Sequence, residues 1–258
     1  MNSGNLESKD AITANQTNSP MQNNMEKLTP EEWQKVVAIG LLTDGDIYYR
    51  KWDNKHMIRF YSTDTNMHEF FQKIVLLAFG ENRSAFLSRK QDKELTTFYQ
   101  RGTKNPMIVK LFSFSKDYKT KKGSEPSLNF LLNERQEVKI QAIRFAMSCD
   151  GSVSIKRSPS NRCYALKLAC AHPELMLQWQ KIFDDVGIEM RISRDRATWS
   201  GIQGLETGNK KSFQRFAEMG GFLPENVKVT NGNFVGCQKN DVLKRILEER
   251  KITLANGF

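Results

Sequence analysis

Ala38-Ile39-Gly40-Leu41-Leu42-Thr43-Asp44-Gly45 and Arg144-Phe145-Ala146-Met147-Ser148-Cys149-Asp150-Gly151 are two runs of similar plan, each stopping on an aspartate followed by glycine. Each forms the end of an expected helix, Trp33 to Thr43 in the first and Val138 to Cys149 in the second. Ala38, Gly40 and Thr43, and Ala146, Ser148 and Cys149, are small enough to let two helices approach closely. If a pseudo-two-fold axis relates the two runs, the helices meet their own duplicates and bring Asp44 and Asp150 together. The glycine after each aspartate supplies the turn into a strand. One Asp-Gly pair alone is an ordinary turn; two at the same place in a repeat, each after an apolar helix, ask for a further reason.

The repeat extends outward from these pairs, which lie 106 residues apart. Hairpin-like stretches follow each pair: Ile47 to Trp52 with Met57 to Ser62, and Val153 to Arg157 with Tyr164 to Ala169. An amphipathic helix comes next, where Phe71-Gln72-Lys73-Ile74 is echoed by Trp179-Gln180-Lys181-Ile182, and it ends at Gly80 or Gly187. Ser88-Arg89 matches Ser193-Arg194 on a third strand, a fourth covers about 95–100 or 202–206, and a short helix closes each copy. The fold class is therefore α+β, with two αββαββα repeats. The expected division is a disordered tail over 1–28, rich in Asn, Ser, Thr and Gln; a first repeat over 29–115; a basic linker over 116–134; and a second repeat with a C-terminal helix over 135–258. Thr29-Pro30 with Glu31 and Glu32 marks the first helix start.

The chain has 258 residues, and Lys and Arg outnumber Asp and Glu by 39 to 29, a net charge of +10. Such a field attracts a polyanion, and nucleic acid heads the partner classes. An anionic membrane surface is the competitor, but the sequence holds no basic amphipathic helix with an aromatic apolar face and no run long enough to span a bilayer. Cys149, Cys163, Cys170 and Cys237 form no Cys-x-x-Cys pair, so they read as reduced core residues and not as a zinc site. No signal-peptide layout opens the chain, which points to an intracellular location, the cytoplasm of a prokaryote or an organelle, near DNA.

Two carboxylates brought together repel each other and face the negative ends of two helix dipoles, an arrangement that calls for a cation. Oxygen-only donors suit Mg2+ or Mn2+, and a phosphodiester can complete the coordination with its own oxygens. The expected chemistry is hydrolysis of a phosphodiester with an activated water and a stabilised leaving oxygen.

Strand alternation points Ile47, Tyr49, Ile58 and Phe60 to the core and leaves Tyr48, Arg50, Arg59 and Tyr61 on the open face. In the second copy Val153, Ile155, Leu166 and Leu168 point inward, with Ser154, Lys156 and Lys167 outward. A basic, hydrogen-bonding sheet face can lie in the major groove of duplex DNA. The third strands add Arg89, Lys90, Arg191 and Arg194, whose facing the alternation leaves open.

The two quoted runs, set in αββαββα repeats, resemble two copies of the LAGLIDADG motif, so the chain looks like a single-chain LAGLIDADG homing endonuclease over residues of about 30 to 250. The resemblance implies a saddle of two antiparallel sheets over double-stranded DNA with a long pseudo-palindromic site, and two central helices. It also implies an intron-homing activity that cuts both strands, and a monomer. It makes Asp44 and Asp150 catalytic and, with the adjoining Gly45 and Gly151, the candidate metal positions. It implies a basic residue near each site: Lys228 after Gly221-Phe222-Leu223-Pro224, and Lys119 after Phe112-Ser113-Phe114, with Lys116, Lys121 and Lys122 as alternatives to Lys119. Ile39 and Phe145 stand where the family usually has glycine, so the helix packing is expected to differ there. A catalytically silent DNA-binding protein of the same fold, or an intron maturase that binds RNA, are the alternative functions.

Overall fold

The computed structural model describes residues 28–81, 86–89, 95–157 and 162–254, with backbone alone for residues 86–89, 95 and 157. The expected tail lies outside the described residues except for Leu28, as do Lys90 and the side chain of Arg89. The first repeat runs α1 (Pro30–Leu42), β1 (Gly45–Arg50), β2 (Lys55–Ser62), α2 (Thr65–Phe79), β3 (Phe86–Arg89), β4 (Leu95–Gly102) and α3 (Pro106–Phe114). After α4 (Asn129–Leu132), which lies inside the expected linker, the same order returns. It runs α5 (Gln136–Cys149), β5 (Gly151–Arg157), β6 (Arg162–Ala169), α6 (Pro173–Asp185), β7 (Arg191–Arg194), β8 (Ile202–Thr207) and α7 (Lys210–Glu218), and α8 (Lys239–Glu249) follows.

Each sheet is antiparallel, with strand order β1-β2-β4-β3 in one and β5-β6-β8-β7 in the other. The local signals act as their chemistry requires. Thr29 and Glu32 form a reciprocal capping box at the start of α1, with Pro30 in the first turn. Gly80 ends α2 in the left-handed region, and Gly187 takes the same conformation just past α6.

The inward positions Ile58, Phe60, Leu166 and Leu168 are essentially inaccessible, and Val153 and Ile155 are buried with them. Tyr49 is the exception to the expected alternation, at 41% exposure. It lies on an edge strand beside the hairpin, where the helical layer no longer covers the sheet. Its hydroxyl donates to Asn54 Oδ1 at 2.7 Å and its ring leans on His56. The cysteines also depart from expectation: all are free thiols, but Cys163 and Cys237 are exposed and only Cys149 and Cys170 are partly buried. Cys163 falls on an outward position of β6 and Cys237 in a loop, so apolar neighbours in sequence did not bury them.

The two central helices, α1 and α5, pack on each other and join both repeats in one hydrophobic core. Phe145 accounts for the altered motif. A Cβ at Gly40 would stand 2.7 Å from Phe145 Cε1, so the aromatic ring of α5 sits in the space that glycine leaves on α1. That ring continues into the first repeat, 5.2 Å from the Phe70 centroid and 6.1 Å from Phe60. Burying a whole phenylalanine side chain this way contributes about 1.5–3 kcal/mol of transfer free energy.

Candidate active site

Both central helices stop at the same point, and the polypeptide leaves each through glycine. The reason is close approach, not an unusual φ. A Cβ at Gly45 would meet Arg59 O at 2.7 Å, and one at Gly151 would meet Met147 O at 2.3 Å. Any larger residue would force the strand away from its helix. The aspartates just before these glycines are also tied in by backbone: Tyr61 N–H donates to Asp44 O at 2.7 Å and Ala169 N–H to Asp150 O at 3.0 Å.

The side chains meet across the helix pair. Thr43 and Cys149 each stand one residue before an aspartate, and the Thr43 side chain acts on the Cys149 thiol. Asp150 feels Asp44 directly: desolvation first, and then the Asp44 charge, raise its carboxyl to about 8, while Lys239 pulls the other way. A carboxyl displaced this far marks a pair that cannot both ionise without added positive charge. The same surroundings, desolvation first and Asp44 next, push the Cys149 thiol well up, so it stays protonated.

A cavity of about 190 Å³ opens on Asp44, lined also by Asp64, Ser148, Cys149, Lys228 and Lys239 among others, while Asp150 does not line it. Lys228 lines this cavity and its side chain is exposed. Its backbone is held by a 2.7 Å hydrogen bond to Asp64 Oδ2 and by a bridge to Gln238. Lys119 is exposed in the segment between the repeats, its N–H bonded to Asp117 Oδ1, and it does not line this cavity.

Two further residues were not singled out from the sequence. Asp64 caps α2, accepting from Asn66 N–H at 3.0 Å, and faces the cavity. Lys239 opens α8 and is almost wholly buried; its ammonium donates to the carbonyls of Met147, Ser148 and Gly151 at 3.3, 2.7 and 2.8 Å. Gly151 thus offers its carbonyl to an ammonium, which puts a positive charge beside an oxygen expected to serve a metal. Asp64 had no repeat partner of its own type to draw notice: His172 stands at the N-cap position of α6, without a side-chain cap bond, where Asp64 caps α2.

The donors that remain fit a hard divalent cation in part. The Asp150 carboxyl, raised by burial and then by the Asp44 charge, favours one, but no cluster of three or more His, Cys, Asp or Glu side chains exists among the described residues. The remaining ligands would have to be phosphate oxygens and water.

On the open face of the first sheet, Arg59 donates from Nε to Asp46 Oδ1 at 2.6 Å and lies between the Tyr48 and Tyr61 rings, 5.0 and 5.7 Å from their centroids. The four form one patch. Arg50 is paired with Asp53 and stacked over Trp52 at 4.2 Å. In the second sheet Lys156, Lys167 and Arg191 line one groove of about 620 Å³, where Lys167 pairs with Glu206 at 2.6 Å. Arg194 is exposed on β7 and does not line that groove.

Residues 137–221 match the family described as LAGLIDADG-like domain. Curated proteins show no match to the chain. Among solved structures, mesophilic variants of the homing endonuclease I-DmoI are similar at a TM-score of 0.53 and 10% identity, covering 73% of this chain and 88% of theirs. I-DmoI in complex with DNA and Mn is similar at 0.52 and 11%, covering 76% and 98%. The homing endonuclease I-WcaI bound to its DNA recognition sequence is similar at 0.51 and 13%, covering 83% and 93%. At such identities the likeness is one of fold. The match to the LAGLIDADG-like domain falls within the second repeat, and the chain as a whole, two pseudo-symmetric repeats in tandem, has the fold of the LAGLIDADG homing endonucleases.

Proposed function

We propose that this protein is a DNA endonuclease of the homing type, acting as a monomer on a long pseudo-palindromic duplex and hydrolysing a phosphodiester in each strand. The observation that carries the reading is the approach of Asp44 and Asp150 at the ends of the two packed helices, where burial and then the Asp44 charge raise the Asp150 carboxyl to about 8. The DNA-bound I-DmoI and I-WcaI structures share this fold, which supports duplex DNA as the ligand. The repeats are taken as residues 29–115 and 135–258.

The chain's own residues have separate tasks in this scheme. The open sheet faces, with Tyr48, Arg50, Arg59 and Tyr61 in one lobe and Lys156, Lys167 and Arg191 in the other, grip phosphates and base edges. Arg194 and the β3 residue Arg89 lie on the third strands and are assigned to phosphate. Asp44 and Asp150 face the scissile region and bind Mg2+ or Mn2+. That cation, when bound, would polarise the phosphate and stabilise the leaving oxygen. Lys228, at the cavity, stabilises charge on the phosphate.

Incubating the protein with a randomised duplex library and Mg2+, then sequencing the ends produced, tests the proposal. Discrete double-strand ends at one long site are expected, and are absent with chelator. A second reading, tight duplex binding without cutting, has one observation in its favour: Lys239 already supplies a cation beside Asp150. Binding with no ends under any divalent ion would select it.

A further inference from the structure

The ammonium of Lys239 is a cation fixed in the site by the fold. All three of its protons are used, on the carbonyls of Met147, Ser148 and Gly151, and these oxygens bracket Asp150 in the chain. It therefore sits at the negative end of the α5 dipole, under the Phe222 ring at 5.4 Å. Among the described residues, no lysine does this for α1. There the end of the helix is closed by Thr43, whose hydroxyl donates to Ile39 O and Gly40 O at 2.9 and 3.2 Å.

We propose that Lys239 is a built-in counter-cation of the acid pair: seated on the end of α5, it opposes the binding of a divalent ion to the two aspartates, of which Asp44 lines the open cavity. The two halves of the site are then unequal. A positive charge fixed on the carbonyls at the end of α5 lowers the demand for a second cation at the acids, because each added positive charge meets the one already present. A mere helix cap would stabilise α5 without changing how the acids bind metal. This inference rests on the reading that a divalent ion is drawn to the pair, but its test can be separated from that reading.

The test is a Mn2+ titration of the metal-free full chain, followed by electron paramagnetic resonance, on wild type, Lys239→Met and Lys239→Gln, with thermal melting alongside. Lys239→Met keeps the stem and loses the charge; Lys239→Gln keeps a hydrogen-bond donor as well. Both should bind Mn2+ at least about tenfold more tightly than wild type, since removing a nearby positive charge strengthens the field of the acids. Unchanged or weaker binding in both overturns the proposal.

If Lys239→Met does not fold, Lys239→Gln, which keeps a donor for the Met147, Ser148 and Gly151 carbonyls without the charge, carries the test by itself. A wild type that cuts DNA, with charge-free variants whose Mn2+ affinity is unmoved, sinks the counter-cation and spares the nuclease. Strengthened Mn2+ binding in the variants of a protein that never cuts does the reverse.

Discussion

Gln141, Arg144 and Ser148 stand on α5 where Lys35, Ala38 and Leu42 stand on α1, at the spacing of the repeat. The first helix buries Ala38 and Leu42 against apolar neighbours and sends Lys35 outward to Glu134. The second anchors a loop through hydrogen bonds instead. Arg144 donates to Gly221 O from Nε at 3.1 Å and to Gly220 O at 3.0 Å, and Ser148 Oγ accepts from Leu223 N–H at 2.8 Å. Gly220 and Gly221 both take positive φ, which turns those carbonyls toward the guanidinium. Burial holds Arg144 down to about 10, still charged at neutral pH. The loop so anchored leads to Lys228 and then Lys239, so one repeat carries both lysines of the site. A duplicated motif has kept its acids in both copies and placed its basic machinery through one.

The largest effect that would test this contrast is catalytic. Asp44→Asn and Asp150→Asn should each lower cleavage by roughly 10³-fold or more, since neither helix end alone holds the ion against the phosphate. Cleavage rates on the selected duplex check it. Next comes the packing between the helices. Phe145→Ala should cost about 3–5 kcal/mol in denaturant unfolding, as a buried aromatic that spans both repeats is removed. Arg144→Met should cost about 2–4 kcal/mol by leaving two buried carbonyls without donors. Gly40→Ala should cost about 1–3 kcal/mol through overpacking against the Phe145 ring, and combining it with Phe145→Leu should recover part of that loss.

The pH dependence separates the two acids. A carboxyl raised from 3.8 to about 8 binds its proton more tightly in the folded state, so its contribution to stability is complete below about pH 4. It is lost as pH rises through about 8. Melting temperature without divalent ions should fall across that window, and Asp150→Asn should flatten the fall. The smallest effects belong to the sheet faces. Arg59→Ala and Lys167→Ala should each weaken duplex binding and reduce the salt-dependence slope by about one or less, because each cation already has a carboxylate partner. Binding isotherms at several salt concentrations measure this.

Period and punctuation made the architecture legible: an apolar run ending in Asp-Gly, twice, followed by the same order of strands and helices. The face of each strand was legible where a helix covers it, as at Ile58 and Leu166, and failed at Tyr49, where edge position counts and alternation does not. Asp44 and Asp150 could be paired because the repeat supplies the symmetry that joins them. Asp64 and Lys239 could not. Asp64 reads as an ordinary helix cap, and the Lys239 contact depends on α8 returning to α5, a meeting of residues that are 88 or more apart in sequence. The symmetry argument hid it, because only one repeat has such a lysine.

The most direct test is an anomalous difference map from crystals of the protein with a duplex and Mn2+. A peak at coordination distance from the Asp44 carboxylate and a DNA phosphate, with Lys239 still on the end of α5, is the predicted result. Manganese bound away from both aspartates, or a duplex seated elsewhere than on the two open sheet faces, would contradict the account.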